Sequence, residues 1–250
     1  MAGHSKWANI KRQKARVDVV KGKTFTQLSR AIIVAARNGI VDPAGNFQLR
    51  TAIEKAKAAG IPNDNIDRAI AKGAGTFDEG KPLEEVRYEG YGAGGVAILI
   101  ESLTDNRNRT AAYLREAFSK NGGNLGETGC VSWMFAHKGV VAIASFSDED
   151  TLLEAVLEAG AESYELTDDG EAEVFTEPAN LENLSQILKQ NFPVSDIELR
   201  WIPDNTVEIT DLDVARSLLK LIDTLEALDD VQNVTANFEM SDELLAVTIA

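Results

Sequence analysis

Apolar residues recur at helical spacing three times in the first third of the chain. Phe25, Leu28, Ile32 and Ala35 lie three or four positions apart and stop at Asn38 and Gly39. Leu49, Ile53 and Ala56 repeat the pattern up to Gly60, and Ile66 and Ile70 make a shorter run that ends at Gly73. Pro43 and Pro62 fall in the turns, and Asn63 is placed to cap the third helix. Residues 74–82, with Gly75, Gly80 and Pro82, read as a linker.

From residue 84 the period changes. Residues 86–88 and 96–100 read as two strands around a glycine turn, and residues 110–120 as a helix with a stripe of Leu114, Ala117 and Phe118 closed by Gly122 and Gly123. Residues 131–135 are a third strand candidate. A block in the order β-α-β-β-α-β follows: strand 140–144, helix 148–159, strand 163–167, an Asp169-Gly170 turn, strand 172–176, helix 181–190 and strand 197–202. Ser147 and Asp150 match a capping box at its first helix. Val207 and Ile209 predict a short strand, the stripe Val214, Leu218, Leu221, Leu225 and Leu228 a helix, and residues 231–238 a last strand. These closing elements lack a sheet of their own, so they are expected to pair with residues 84–135.

The expected fold is α+β. A basic arm and helical domain occupies residues 1–75, and a discontinuous α+β domain is formed by residues 83–136 plus 205–250. A ferredoxin-like acidic domain, residues 138–203, is inserted in it.

Charge divides along the same lines. The formal net charge is -15, which taken alone argues against a polyanion partner. Residues 1–75 carry 14 Lys or Arg against 5 Asp or Glu, while residues 76–250 carry 11 against 35. The first 23 residues hold seven cations and one anion, Asp18. Positive charge therefore forms an arm and platform on an acidic body.

Few residues suggest covalent chemistry. Residues 90–95 fit G-x-G-x-x-G, but the β-branched run that follows is a strand and not the helix a dinucleotide site needs, so a glycine hairpin is expected. His4 and His137 stand apart, no Cys-x-x-Cys or His-Glu-x-x-His spacing occurs, and no Gly-x-Ser-x-Gly elbow is present. The one cysteine, Cys130, excludes an intramolecular disulfide and reads as a packing residue. No enzyme activity, cofactor, metal or small-molecule substrate is expected. The apolar run at 31–36 is far short of a membrane span, and the N-terminus lacks the apolar core of a secretory signal.

The arm is the more informative feature. As a helix, residues 7–20 would group Trp7, Ile10, Val17 and Val20 on one face, with Lys11, Arg12 and Arg16 turned away. Lys6, Lys11, Arg12, Lys14, Arg16, Lys21 and Lys23 suit a phosphate backbone, and Trp7 suits base stacking. The alternative is a solvated surface helix with Trp7 docked on the core. The cations Arg30, Arg37, Arg50, Lys55, Lys57, Arg68 and Lys72 favour binding, because the helical domain shares the sign. A second candidate is Arg107 and Arg109 at a helix start, where cations oppose the helix dipole and a phosphate would reverse the conflict. The bland reading is that Asp105 or Asn106 caps that helix while both arginines pair with surface acids.

Residues 1–11 (MAGHSKWANIK), 22–26 (GKTFT), 88–92 (YEGYG), 105–110 (DNRNRT) and 121–126 (NGGNLG) closely resemble the YebC/PmpR family, and the resemblance runs the full length. It implies three domains with the third inserted in the second, and a non-enzymatic role in gene expression. Bacterial members are described as probable transcriptional regulators that bind promoter DNA. A mitochondrial relative is a translational activator, and other members are linked to stalled ribosomes. The resemblance begins at Met1, which implies no targeting extension and a cytoplasmic location. The implied partner is nucleic acid, DNA by the family description, with ribosomal RNA, the ribosome or another protein as alternatives. A further reading is an acidic protein-interaction module whose basic arm folds on its own body. No helix-turn-helix spacing or base-reading set of Arg and Asn chooses among them.

Overall fold

The computed structural model describes residues 21–76, 83–167 and 170–249. In chain order the elements are α1 (Lys21–Asn38), α2 (Phe47–Ala58), α3 (Asn63–Gly73), β1 (Glu84–Tyr91), β2 (Ala97–Thr104), α4 (Arg107–Lys120), β3 (Asn124–Leu125) and β4 (Phe135–Ile143). Then follow α5 (Glu149–Glu158), β5 (Ser163–Leu166), β6 (Ala172–Thr176), α6 (Leu181–Asn191), β7 (Val194–Pro203), β8 (Val207–Glu208), α7 (Leu212–Glu226), β9 (Val231–Ala236), β10 (Phe238–Glu239) and α8 (Asp242–Ile249). They form two compact units. The first comprises residues 133–208 and 237–239; the second comprises the other described residues up to 132, with 209–236 and 240–249.

In the second unit, the three predicted helices enclose a core of Ile32, Ile33, Ala36, Leu49, Ala56 and Ile66. Small residues let the helices approach closely. A Cβ on Gly73 would lie 2.5 Å from the Ile33 carbonyl oxygen and 2.7 Å from Ala36 Cβ, so α3 crosses α1 where only glycine fits. Asn46 caps α2 by accepting the Leu49 N–H at 3.0 Å. At α3 the cap position is Pro62, whose carbonyl accepts from Asn65 and Ile66; Asn63 is already the first helical residue, which corrects its assignment as cap. The linker expected at 74–82 falls largely outside the described residues.

The same unit holds an antiparallel sheet in the order β3-β1-β2-β9. The glycine hairpin is present: Tyr91 pairs with Ala97, and Gly94 and Gly95 turn with φ of +74° and +76°, a left-handed conformation that other residues rarely adopt. Phe118 of α4 packs against Gly90, where a Cβ would sit 2.7 Å from its ring. Leu218 and Leu221 of α7 lie close to Gly92, with Ile98 of β2 beside them. β9 joins β2 as expected. The predicted strand at 207 and 209 does not join that sheet; Val207 and Glu208 pair in parallel with Phe238 and Glu239.

The first unit is a four-stranded antiparallel sheet in the order β5-β6-β4-β7 with α5 and α6, the β-α-β-β-α-β arrangement read from the sequence. Residues 131–135 are not a strand: Ser132–Met134 form a 3-10 turn, and β4 begins at Phe135. The cap of α5 is Asp148, whose carboxylate accepts the Thr151 N–H at 2.8 Å, in place of the predicted Ser147 box. A carboxylate at this position also faces the positive end of the helix dipole. The Asp169-Gly170 turn falls partly outside the described residues.

Candidate nucleic-acid interface

Of the predicted phosphate-binding residues, Lys6, Trp7, Lys11, Arg12, Lys14 and Arg16 lie outside the described residues, while Lys21 and Lys23 fall in the first turn of α1. The helical block behind them divides its cations into two groups. Three arginines brace the structure. Arg30 donates to the Asp229 carbonyl and pairs with Asp230 at 3.5 Å. Arg37 donates to the Leu83 carbonyl, and Arg50 donates to the Pro43 carbonyl at 2.9 Å while its guanidinium lies 5.5 Å from the Phe47 ring centre. Lys57, Arg68 and Lys72 are exposed, with Arg68 and Lys72 one turn apart on α3. Spacing alone does not separate the two groups, because the carbonyls that brace Arg30 and Arg37 lie 199 and 46 positions away.

Arg107 and Arg109 come together at the start of α4. Asn106 caps the helix, accepting the Arg109 N–H at 3.1 Å. Arg107 pairs with Glu84, and its carbonyl accepts the Tyr88 hydroxyl at 3.0 Å. Arg109 reaches Asp105 at 2.8 Å and Asp230 at 2.9 Å. The chain's own carboxylates therefore offset the two cations that oppose the helix dipole.

Asp230 is the centre of this cluster. It is 8% exposed, and Thr110 Oγ1 and Thr104 Oγ1 lie 2.7 and 3.2 Å from its Oδ2. Burial pushes its carboxyl up, but hydrogen bonds from Arg109 and Thr110 and the Arg109 charge outweigh that and hold it below the usual range. The same contact, led by the hydrogen bond to Asp230, raises the Arg109 guanidinium. One carboxylate thus fastens α1, through Arg30, to the loop before β9 and to α4.

A second buried carboxylate, Glu89 at 3% exposed, accepts the N–H groups of Gly129, Val131 and Ser132 at 2.7 to 2.8 Å. Burial raises its carboxyl, and the hydrogen bonds from Val131, Gly129 and Ser132 more than reverse this, lowering it. Burial, followed by the nearby Glu89 charge, raises the Cys130 thiol. That keeps it protonated and a poor nucleophile.

Sequence reasoning missed both carboxylates, since their partners are up to 200 positions away. Among the described residues, no group of His, Cys, Asp and Glu could hold a metal, and no helix is long and apolar enough to cross a membrane. A cleft of about 430 Å³ opens between Arg37 and Asn38 of α1 and Leu83–Glu85. Its polar groups are engaged with one another, Asn38 donating to Glu85 at 2.5 Å.

Two family models match: the TACO1/YebC protein N-terminal domain over residues 5–76, and the TACO1/YebC second and third domain over residues 83–238. A "probable transcriptional regulatory protein" of Trichormus variabilis is 77% identical, and one of Nostoc sp. is 76% identical, each alignment covering all of both chains. The crystal structure of a conserved hypothetical protein, Aq1575, from Aquifex aeolicus superposes with a TM-score of 0.82 at 46% identity, covering 91% of this chain and 94% of that one.

Proposed function

The chain belongs to the TACO1/YebC family, and on that premise we propose that it is a non-enzymatic, cytoplasmic regulator of gene expression that binds DNA through its basic N-terminal region. The observation that carries this reading is the division of charge. Fourteen cations against five anions fall in residues 1–75 of a chain whose net charge is -15. Within the helical block, arginines brace the fold while Lys57, Arg68 and Lys72 face solvent, where a phosphate backbone can reach them. The arm, with Trp7 among its cations, supplies further phosphate contacts and a stacking surface. Relatives named as transcriptional regulators agree with a regulatory role. Arg107 and Arg109 join the interface by exchanging their carboxylate partners for phosphate.

A salt titration with labelled duplex DNA tests the reading. With about six phosphates neutralised, log affinity falls against log salt with a slope of about -5. A slope near zero overturns it. Sedimentation with ribosomal subunits that survives DNase, and is lost on replacing Lys11, Arg12, Lys14 and Arg16 by alanine, would instead make the target ribosomal RNA.

A further inference from the structure

In the first unit, α5 buries Leu152, Ala155 and Val156, the stripe that its spacing predicts. The next row around the helix is Glu149, Leu153 and Leu157, each four residues from the last. Its leucines are not covered: Leu153 is 38% and Leu157 68% exposed. Glu149, in the same row, accepts the Tyr164 hydroxyl at 3.0 Å, so the row looks toward β5. Alternation places Leu166, 40% exposed, on the same side of β5 as Tyr164. β5 is the outermost strand of its sheet. Among the described residues, three of the four large apolar side chains left exposed in this unit therefore gather along one flank. Scattered exposed leucines are ordinary, but leucines in a row beside a sheet edge form a surface without its cover.

The adjoining row of α5 carries charge. Asp150, Glu154 and Glu158 follow at four-residue spacing, all exposed and with no ion-pair partner among the described residues. Like charges so spaced repel one another. Glu154 and Glu158 also stand in the C-terminal half of a helix whose last turn has no basic residue, where the helix dipole disfavours anions. The bare leucines and the unpaired carboxylates are thus two unfavourable features side by side, and one kind of occupant removes both.

We propose that this flank of α5 is a docking surface for a basic amphipathic helix of a partner protein. A row of leucines four residues apart is the kind of ridge that fits the groove of a second helix. Lysines or arginines bordering the apolar stripe of that helix then reach Asp150, Glu154 and Glu158. Charge selects this occupant over a second copy of the chain. Residues 133–208 hold 17 Asp or Glu against three Lys or Arg, so two copies meeting here would set like charge against like. The same carboxylates repel phosphate, which makes this a protein site and not a second nucleic-acid site. A helix suits it better than an added strand, because β5 is only four residues long.

Fluorescence anisotropy of the full chain with a labelled Leu/Lys peptide, its leucines at i, i+3, i+4 and i+7, tests this. The peptide should bind, and Leu153→Ser with Leu157→Ser should weaken it about tenfold. Glu154→Lys with Glu158→Lys should weaken it about fivefold more than the equal charge change Asp204→Lys with Glu208→Lys. A scrambled peptide of the same composition, which cannot present one apolar stripe, should bind about tenfold more weakly. No binding of the patterned peptide, equal binding of the scrambled one, or equal effects of the two lysine pairs would overturn the proposal. So would a dimer in sedimentation velocity that the serine pair dissociates, since it would assign the flank to a second copy. The serine positions are exposed, so the thermal midpoint should hold; should it fall, the comparison of the two lysine pairs still decides.

Discussion

The helical block of α1 to α3 and the acidic β-α-β-β-α-β unit handle charge in opposite ways. In the block, Arg37 and Arg50 donate to the Leu83 and Pro43 carbonyls, and Lys57, Arg68 and Lys72 face outward on helices that core alanines and Gly73 hold close together. In the acidic unit, Lys138 pairs with Glu162 at 2.5 Å, and Arg200 pairs with Glu173 on β6 and with Glu198 two positions along its own strand. One region leaves cations available to a partner. The other commits them to its own surplus of carboxylates, so sign alone does not reveal which charges can act.

The sharpest way to break this comparison is to orphan a committed cation. Glu173→Ala leaves the Arg200 guanidinium, 13% exposed, without its buried partner, and should cost about 3 kcal/mol in urea unfolding. An unchanged midpoint would mean that Glu198 alone suffices. In the helical block the corresponding weak point is steric. Gly73→Ala forces a Cβ against the Ile33 carbonyl and should cost about 2 kcal/mol, read as a lower thermal midpoint with the acidic unit unaffected.

Glu89→Gln removes a charged acceptor from three N–H groups and should cost about 2 kcal/mol, with faster amide exchange confined to Gly129, Val131 and Ser132. Acid should act on the same groups. Glu89 and Asp230 both have lowered pKa values in the folded protein. Their contribution is therefore present above the ordinary carboxylate values of about 4 and is lost as pH falls through the lower folded values. Thermal melts between pH 6 and 3 should show wild type losing stability toward the acid end, with a shallower loss in Asp230→Asn. The smallest effect on stability belongs to Lys57, Arg68 and Lys72. Their combined replacement by alanine should leave the melt unchanged while reducing the salt slope of DNA binding by about 2.7.

Local chemistry made much of this fold legible. Glycines at 60 and 73 end helices whose 3/4 spacing is plain, and the alternation of strands and helices from 135 to 203 announces its sheet. What escaped depends on distance or on a single side chain. Asp148 took the cap of α5 because its carboxylate oxygen reaches the third N–H ahead, a geometry that Ser147 shared on paper, and Asn46 caps α2 in the same way. Residues 131–135 looked like a strand because their side chains are apolar, but Glu89 draws the backbone of 129–132 into a loop. The β-branched mixture at 242–249 concealed α8. For the candidate interface, charge and spacing pointed to the basic region and to Arg107 and Arg109, which the structure pairs with Glu84, Asp105 and Asp230, and only packing separated bracing cations from exposed ones.

Asp230 joins stretches that are far apart in sequence, with Arg30 on one side and Thr104, Arg109 and Thr110 on another. Such a junction restricts the paths open to evolution. A neutral residue at 230 would leave Arg109 with Asp105 and Arg30 with the Asp229 carbonyl as their remaining partners, and a change at Arg109 alone would leave Asp230 to Arg30 and the Thr104 and Thr110 hydroxyls. Drift at these positions should therefore proceed by linked substitutions, and a relative that replaces one of them should carry its compensation in the other.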